Sequence, residues 1–89
     1  MPVKRLIIKG KVQGVFYRAK AKEAAGAAGI TGWVRNTDDG HVEAMVSGNE
    51  AQLDVFINWC RRGPERAVVA DVIISEAPDN RFDGFRIIR

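Results

Sequence analysis

Eighty-nine residues with 46% hydrophobic content fit one small domain, residues 1–89, and leave no room for two. No apolar run approaches the roughly 18 residues that cross a membrane, and Leu6–Ile8 near the start is too short for a signal-peptide core of about 7. A single cysteine, Cys60, excludes an internal disulfide framework and a cysteine-based zinc cluster, and a single histidine, His41, excludes a multi-histidine metal site. A cytoplasmic chain is expected. Net charge is +3 and unevenly spread: Lys4, Arg5, Lys9, Lys11, Arg18, Lys20 and Lys22 all precede the first acid, Glu23. That end of the chain would attract an anion, either nucleic acid or a small phosphorylated molecule.

In chain order, residues 4–10 alternate as a strand, with Leu6 and Ile8 on one face and Arg5, Ile7 and Lys9 on the other. Residues from about 18 to 28 are alanine-rich and predict a helix; Gly26 weakens its last turn and Gly29 is placed to end it. Residues 30–36 read as a second strand. Asp39-Gly40 is a hairpin signal, and Val42, Ala44 and Val46 alternate in a third strand antiparallel to the second. Asn49 can cap a second helix, with Gln52 as its reciprocal partner. Leu53, Phe56, Ile57 and Cys60 mark its buried face, and Gly63-Pro64 stops it. Residues 67–75 predict a fourth strand, residues 77–80 a turn, and residues 82–89 a short last strand. The order β-α-β-β-α-β is that of a ferredoxin-like α+β sandwich, with two helices on one face of an antiparallel sheet. That fold hosts many functions and settles none.

The chemistry has to lie in the loops. Residues 10–18, GKVQGVFYR, join a strand to a helix but lack the Lys-Ser/Thr of a Walker loop and the three glycines of a dinucleotide fingerprint. What they offer is backbone N–H groups at a helix start, edged by Arg18, whose planar fork suits two phosphate oxygens. CRRGPER, residues 60–66, has the Cys-x5-Arg spacing of cysteine-dependent phosphatases. Yet Cys60 ends a helix, where the dipole disfavours a thiolate, and Pro64 has no N–H to donate, so a core thiol is expected. His41 reads as an exposed strand residue, Asp38 and Asp39 as turn residues, and Trp33 as a packing residue.

Two stretches carry a family likeness. GKVQGVFYR (residues 10–18) and GWVRNTDDGHVEAMVSG (residues 32–48) resemble the acylphosphatase signatures, Gly-x-Val-x-Gly-Val-x-aromatic-Arg and Gly-aromatic-Val-basic-Asn-x3-Gly-x-Val-x5-Gly. Gly10, Val12, Gly14, Val15, Tyr17 and Arg18 fill the first; Gly32, Trp33, Val34, Arg35, Asn36, Gly40, Val42 and Gly48 fill the second. The likeness extends to length, element order and the closing Gly84-Phe85. It implies hydrolysis of a carboxyl-phosphate anhydride to a carboxylate and phosphate, with no metal and no cofactor. The implied site is a backbone cradle of Gln13, Gly14, Val15, Phe16, Tyr17 and Arg18, with the Arg18 side chain on phosphate and Asn36 holding the attacking water. The expected partner is a small-molecule acyl phosphate, with no nucleic acid or membrane, and the chain is expected to be a monomer. Many family members have leucine where this chain has Ala28, which bears on helix packing more than on catalysis.

The main rival is a non-catalytic phosphate- or RNA-binding module of the same fold. RNA-recognition domains stack bases on strand aromatics, and HVEAMVSG has none. A third reading is an accessory unit handling carbamoyl phosphate, since similar segments begin larger hydrogenase-maturation proteins.

Overall fold

A computed structural model describes residues 1–88. The elements are β1 (Val3–Lys11), α1 (Tyr17–Ala28), β2 (Thr31–Asn36), β3 (Val42–Ser47), α2 (Glu50–Arg62), β4 (Val68–Ala77) and β5 (Phe85–Ile88). The strands form one sheet in the order β4-β1-β3-β2-β5. β1 therefore lies between β4 and β3, antiparallel to both, and β3 separates β1 from β2.

The expected antiparallel sheet is correct for four strands and incomplete at the fifth. β5 pairs in parallel with β2, Gly32 opposite Phe85 and Val34 opposite Ile87. The direction follows from the path of the chain. β4 runs opposite to β1, and β2 runs with β1, so a strand that reverses after β4 must run with β2 when it takes that strand's free edge. The sheet is mixed for this reason.

Alternation explains which faces are covered. Leu6 and Ile8 of β1, Val34 of β2, and Val42, Ala44 and Val46 of β3 are buried under the helices. α1 contributes Tyr17, Ala21 and Ala25, and α2 contributes Leu53, Phe56, Ile57 and Cys60, the face that the i, i+3, i+4, i+7 spacing predicts. The α2 start is a reciprocal cap: the Asn49 side chain accepts from the Gln52 N–H, and the Gln52 side chain accepts from the Asn49 N–H, each at 2.8 Å. β4 is apolar in sequence, yet of its residues only Val72 is buried, because it forms an outer edge of the sheet.

Gly10 turns β1 toward the loop that follows. Its φ is 125°, and a Cβ there would stand 2.1 Å from the Val68 carbonyl oxygen of β4, so no larger residue fits. The β1–β4 register slips at this point, between Lys9 and Gly10. The extra residue, Ala70, lies on β4, and pairing continues through Gly10 with Val69 and Lys11 with Val68 up to the start of the loop.

On the other sheet face, Glu43 of β3 lies under two arginines. Arg5 Nε of β1 donates to one carboxylate oxygen at 2.5 Å, and Arg35 Nε of β2 donates to the other at 2.7 Å. Burial opposes ionisation of Glu43, but the hydrogen bonds and charges of Arg5 and Arg35 outweigh it and hold its pKa below the usual carboxylate value. Because the folded-state pKa is depressed, this stabilisation is present above the unfolded value of about 4.3. It is lost as pH falls through the folded-state value. Glu43→Gln is accordingly expected to lower unfolding free energy by about 2 kcal/mol at neutral pH. Urea titrations of both proteins should show the gap closing as pH falls below the ordinary carboxylate range. A pH-independent gap would mean that packing, not charge, is what Glu43 contributes.

Candidate active site

The loop between β1 and α1 leaves the end of a central strand and enters a helix within a few residues. Gly14 adopts φ 74°, and Phe16, directly before α1, adopts φ 64°, the single non-glycine residue of positive φ among those described. A left-handed conformation costs a residue with a Cβ roughly 1 kcal/mol or more. Phe16 is also 72% exposed to solvent as a residue. No side chain caps α1 and no acid occupies its first turn. The N–H groups of that turn, with the positive end of the helix dipole, therefore face the loop without a neighbouring anionic side chain from the helix itself.

Val12, Gly14, Phe16, Tyr17, Arg18, Ala19, Asn36 and Ile87 line a hollow of about 320 Å³ at this helix start. Arg18 and Asn36, from α1 and from the last residue of β2, thus share one site. Arg18 has no ion-pair partner among the described residues. Asn36 Oδ1 is buried and has no hydrogen-bond partner among them. A buried unpaired carbonyl oxygen costs on the order of 1–3 kcal/mol, so this acceptor is one that the fold itself leaves unused.

The other expected loop residues fare differently. Val15 is buried in the core and borders a smaller neighbouring hollow with Phe16, Lys20, Pro64, Glu65 and Arg66. The Gln13 side chain turns away from the hollow: its Nε2 donates to the Thr37 carbonyl at 2.9 Å and to the His41 carbonyl at 2.8 Å. Those bonds were not legible in the sequence, because backbone acceptors leave no side-chain signal. The basic cluster of residues 4–22 also disperses. Arg5 joins Glu43, Lys4 lies 3.5 Å from Glu76, and Lys20 lies 3.5 Å from Glu23, so of that cluster only Arg18 lines the hollow.

His41 departs from the expectation of an exposed strand residue. It stands just before β3, half-buried, and its Nδ1 is buried without a partner among the described residues. The hairpin neck closes here, where the Thr37 N–H donates to the His41 carbonyl at 2.9 Å. Cys60 is the core thiol that its place at a helix end requires. It is 1% exposed, and burial pushes its pKa up to about 12 despite the Tyr17 hydrogen bond and the charge of Arg61. Tyr17 ties the loop to this helix, its hydroxyl donating to the Cys60 carbonyl at 2.8 Å while its ring centroid lies 5.2 Å from that of Trp59. Burial also raises the Tyr17 pKa far above any working pH, so its hydroxyl stays a donor.

The hollow thus joins a helix start, the Arg18 side chain and the Asn36 amide on a ferredoxin-like sandwich, a lining suited to a small anion, and comparison with known proteins supplies the class. The Acylphosphatase family model matches residues 4–87. An acylphosphatase of Haloquadratum walsbyi is 48% identical over 84 residues, covering 94% of this chain and 90% of that protein. One of Marinobacter nauticus is 49% identical over 82 residues, covering 91% and 89%. The crystal structure of acylphosphatase from Bacillus subtilis superposes with a TM-score of 0.95 at 32% identity, covering 100% of both chains. The chain belongs to the acylphosphatase family. It is an acid-anhydride hydrolase acting on small-molecule acyl phosphates.

Proposed function

We propose that the backbone of Gln13, Gly14, Val15, Phe16, Tyr17 and Arg18 cradles the phosphoryl oxygens, that the Arg18 guanidinium binds two of them, and that Asn36 orients the attacking water, with no metal ion taking part. The observation that carries this reading is the buried, unpartnered Asn36 Oδ1 in the same hollow as Arg18 and the α1 N-terminus. A water that donates a hydrogen bond to that oxygen turns a lone pair toward the hollow. Its oxygen forms the new bond to phosphorus as the P–O bond to the acyl group breaks. The carboxylate leaves with the electron pair, and the second water proton passes to solvent or phosphate.

The leaving group explains why so few groups suffice. The conjugate acid of a carboxylate has a pKa of about 4, so no general acid has to protonate it at neutral pH. Phosphoryl transfer through a loose transition state relies on positioning and charge stabilisation. One guanidinium, the loop N–H groups and a water-orienting amide provide both.

In the same reading, residues 1–89 act as one domain, monomeric and cytoplasmic. No helix of the described residues is long and apolar enough to cross a membrane, and Cys60, the single cysteine, is a free thiol. The central strands β1 and β3 carry no aromatic side chain, which favours a small-molecule ligand over RNA.

Hydrolysis of benzoyl phosphate, followed by absorbance, tests the metal-free mechanism. Turnover is expected to be unchanged by EDTA. Loss of turnover with chelator and its return with added divalent cation would overturn the mechanism and leave the cradle as one part of a metal site.

A further inference from the structure

The two halves of the site come from strands that do not touch. The cradle follows β1 and Asn36 ends β2, and in the sheet order β4-β1-β3-β2-β5 the whole width of β3 stands between them. Sheet pairing alone would set the distance from Asn36 to the phosphoryl group through two ladders and a hairpin. The Gln13 side chain spans that gap directly. Its amide has two N–H donors, and both are used: one on the Thr37 carbonyl at 2.9 Å, one on the His41 carbonyl at 2.8 Å.

Those acceptors are the two sides of the hairpin neck. Thr37 directly follows Asn36, and His41 directly precedes β3. The neck is itself closed by the Thr37 N–H on the His41 carbonyl at 2.9 Å and by the His41 N–H on the Thr37 hydroxyl oxygen at 3.0 Å. Gln13 therefore fastens the phosphate loop to the peptide next to Asn36, bypassing β3.

We propose that the Gln13 side chain is a positioning residue that fixes Asn36, and so the attacking water, relative to the phosphate cradle. This rests on the reading of Asn36 given above. Gln13 acts on the water-holding half of the site while its own backbone serves the phosphate-holding half. Removing the amide should therefore damage the alignment of attack and spare the grip on phosphate. Misplacing a reacting group by about 1 Å costs on the order of 100-fold in rate.

The test is a double-mutant cycle read on kcat, KM and inhibition by inorganic phosphate. Gln13→Ala is expected to lower kcat for benzoyl phosphate by roughly 10–100-fold. Inhibition by phosphate should move less than about 3-fold, a split that general loosening of the fold would not produce. Introduced into Asn36→Ala, the same change should cost less than about 2-fold, because the residue that it positions is already gone. Gln13→Met, which keeps the length and lacks the N–H groups, takes the place of the alanine variant if that fails to fold. Parallel loss of phosphate inhibition and turnover overturns the proposal, as does a full additional loss in the Asn36→Ala background or normal kcat in a folded variant. Near-normal turnover by Asn36→Ala itself would instead overturn the reading of Asn36 beneath it, and the positioning role with it.

Discussion

Arg18→Ala is expected to abolish turnover and phosphate inhibition together, with kcat/KM falling by about 1000-fold or more. Two charge-assisted hydrogen bonds contribute roughly 1.5–3 kcal/mol each, and a bond that strengthens as charge develops on the phosphoryl oxygens adds to the rate as well as to binding. The fold should tolerate the change. Arg18 is half-buried, lies in the first turn of α1, and has no ion-pair partner among the described residues. Arg18→Lys should recover little, because a flexible point charge cannot match a pair of oxygens as the guanidinium fork does. Steady-state kinetics with a phosphate inhibition series, alongside a thermal melt, checks each part. A variant that lost turnover but kept normal phosphate inhibition would move Arg18 from binding to some other role.

Asn36→Ala should separate those two properties. Its kcat is expected to fall by about 100–1000-fold, the range for removing one preorganised polar group from a reacting centre, while phosphate inhibits as before. The stability prediction is less intuitive. Asn36 Oδ1 is buried without a partner among the described residues, so deleting it removes an acceptor that the fold leaves unpaired. The variant should be as stable as the wild type or more stable by up to about 1 kcal/mol. Urea denaturation without phosphate measures this. A loss of 2 kcal/mol or more would show that Asn36 holds the hairpin rather than the water.

The contrast between these two residues and Gln13 shows what a sequence carries. Arg18 and Asn36 stand at fixed places in two long motifs, and it is the likeness of those motifs to the family, not periodicity, that assigned them to one site. Local chemistry also sufficed for the α2 cap, where Asn49 and Gln52 are three residues apart, and for Cys60, whose place at a helix end decides its character. Gln13 is different. Its acceptors are carbonyls 24 and 28 residues away, chosen by strand register rather than by side-chain type. The direction of β5 was hidden for a related reason: alternation marks a strand but not the edge it joins. Phe16 shows the limit of propensity, since nothing in an aromatic residue announces φ 64°. The partial burial of His41 likewise was not announced by its place beside a turn.

The central place of β1 has a consequence for how the chain is made. β1 is synthesised before both of its neighbours, β3 (Val42–Ser47) and β4 (Val68–Ala77). At roughly 5–20 residues per second, Leu6, Ile7 and Ile8 remain an unpaired apolar strand for several seconds. Such a segment can pair with the same segment on a nearby chain. Lys4, Arg5, Lys9 and Lys11 flank it on both sides, where like charges oppose that pairing. The charges that disperse in the finished fold thus stand together beside β1 on the growing chain, where their repulsion opposes pairing with other copies until β3 and β4 arrive.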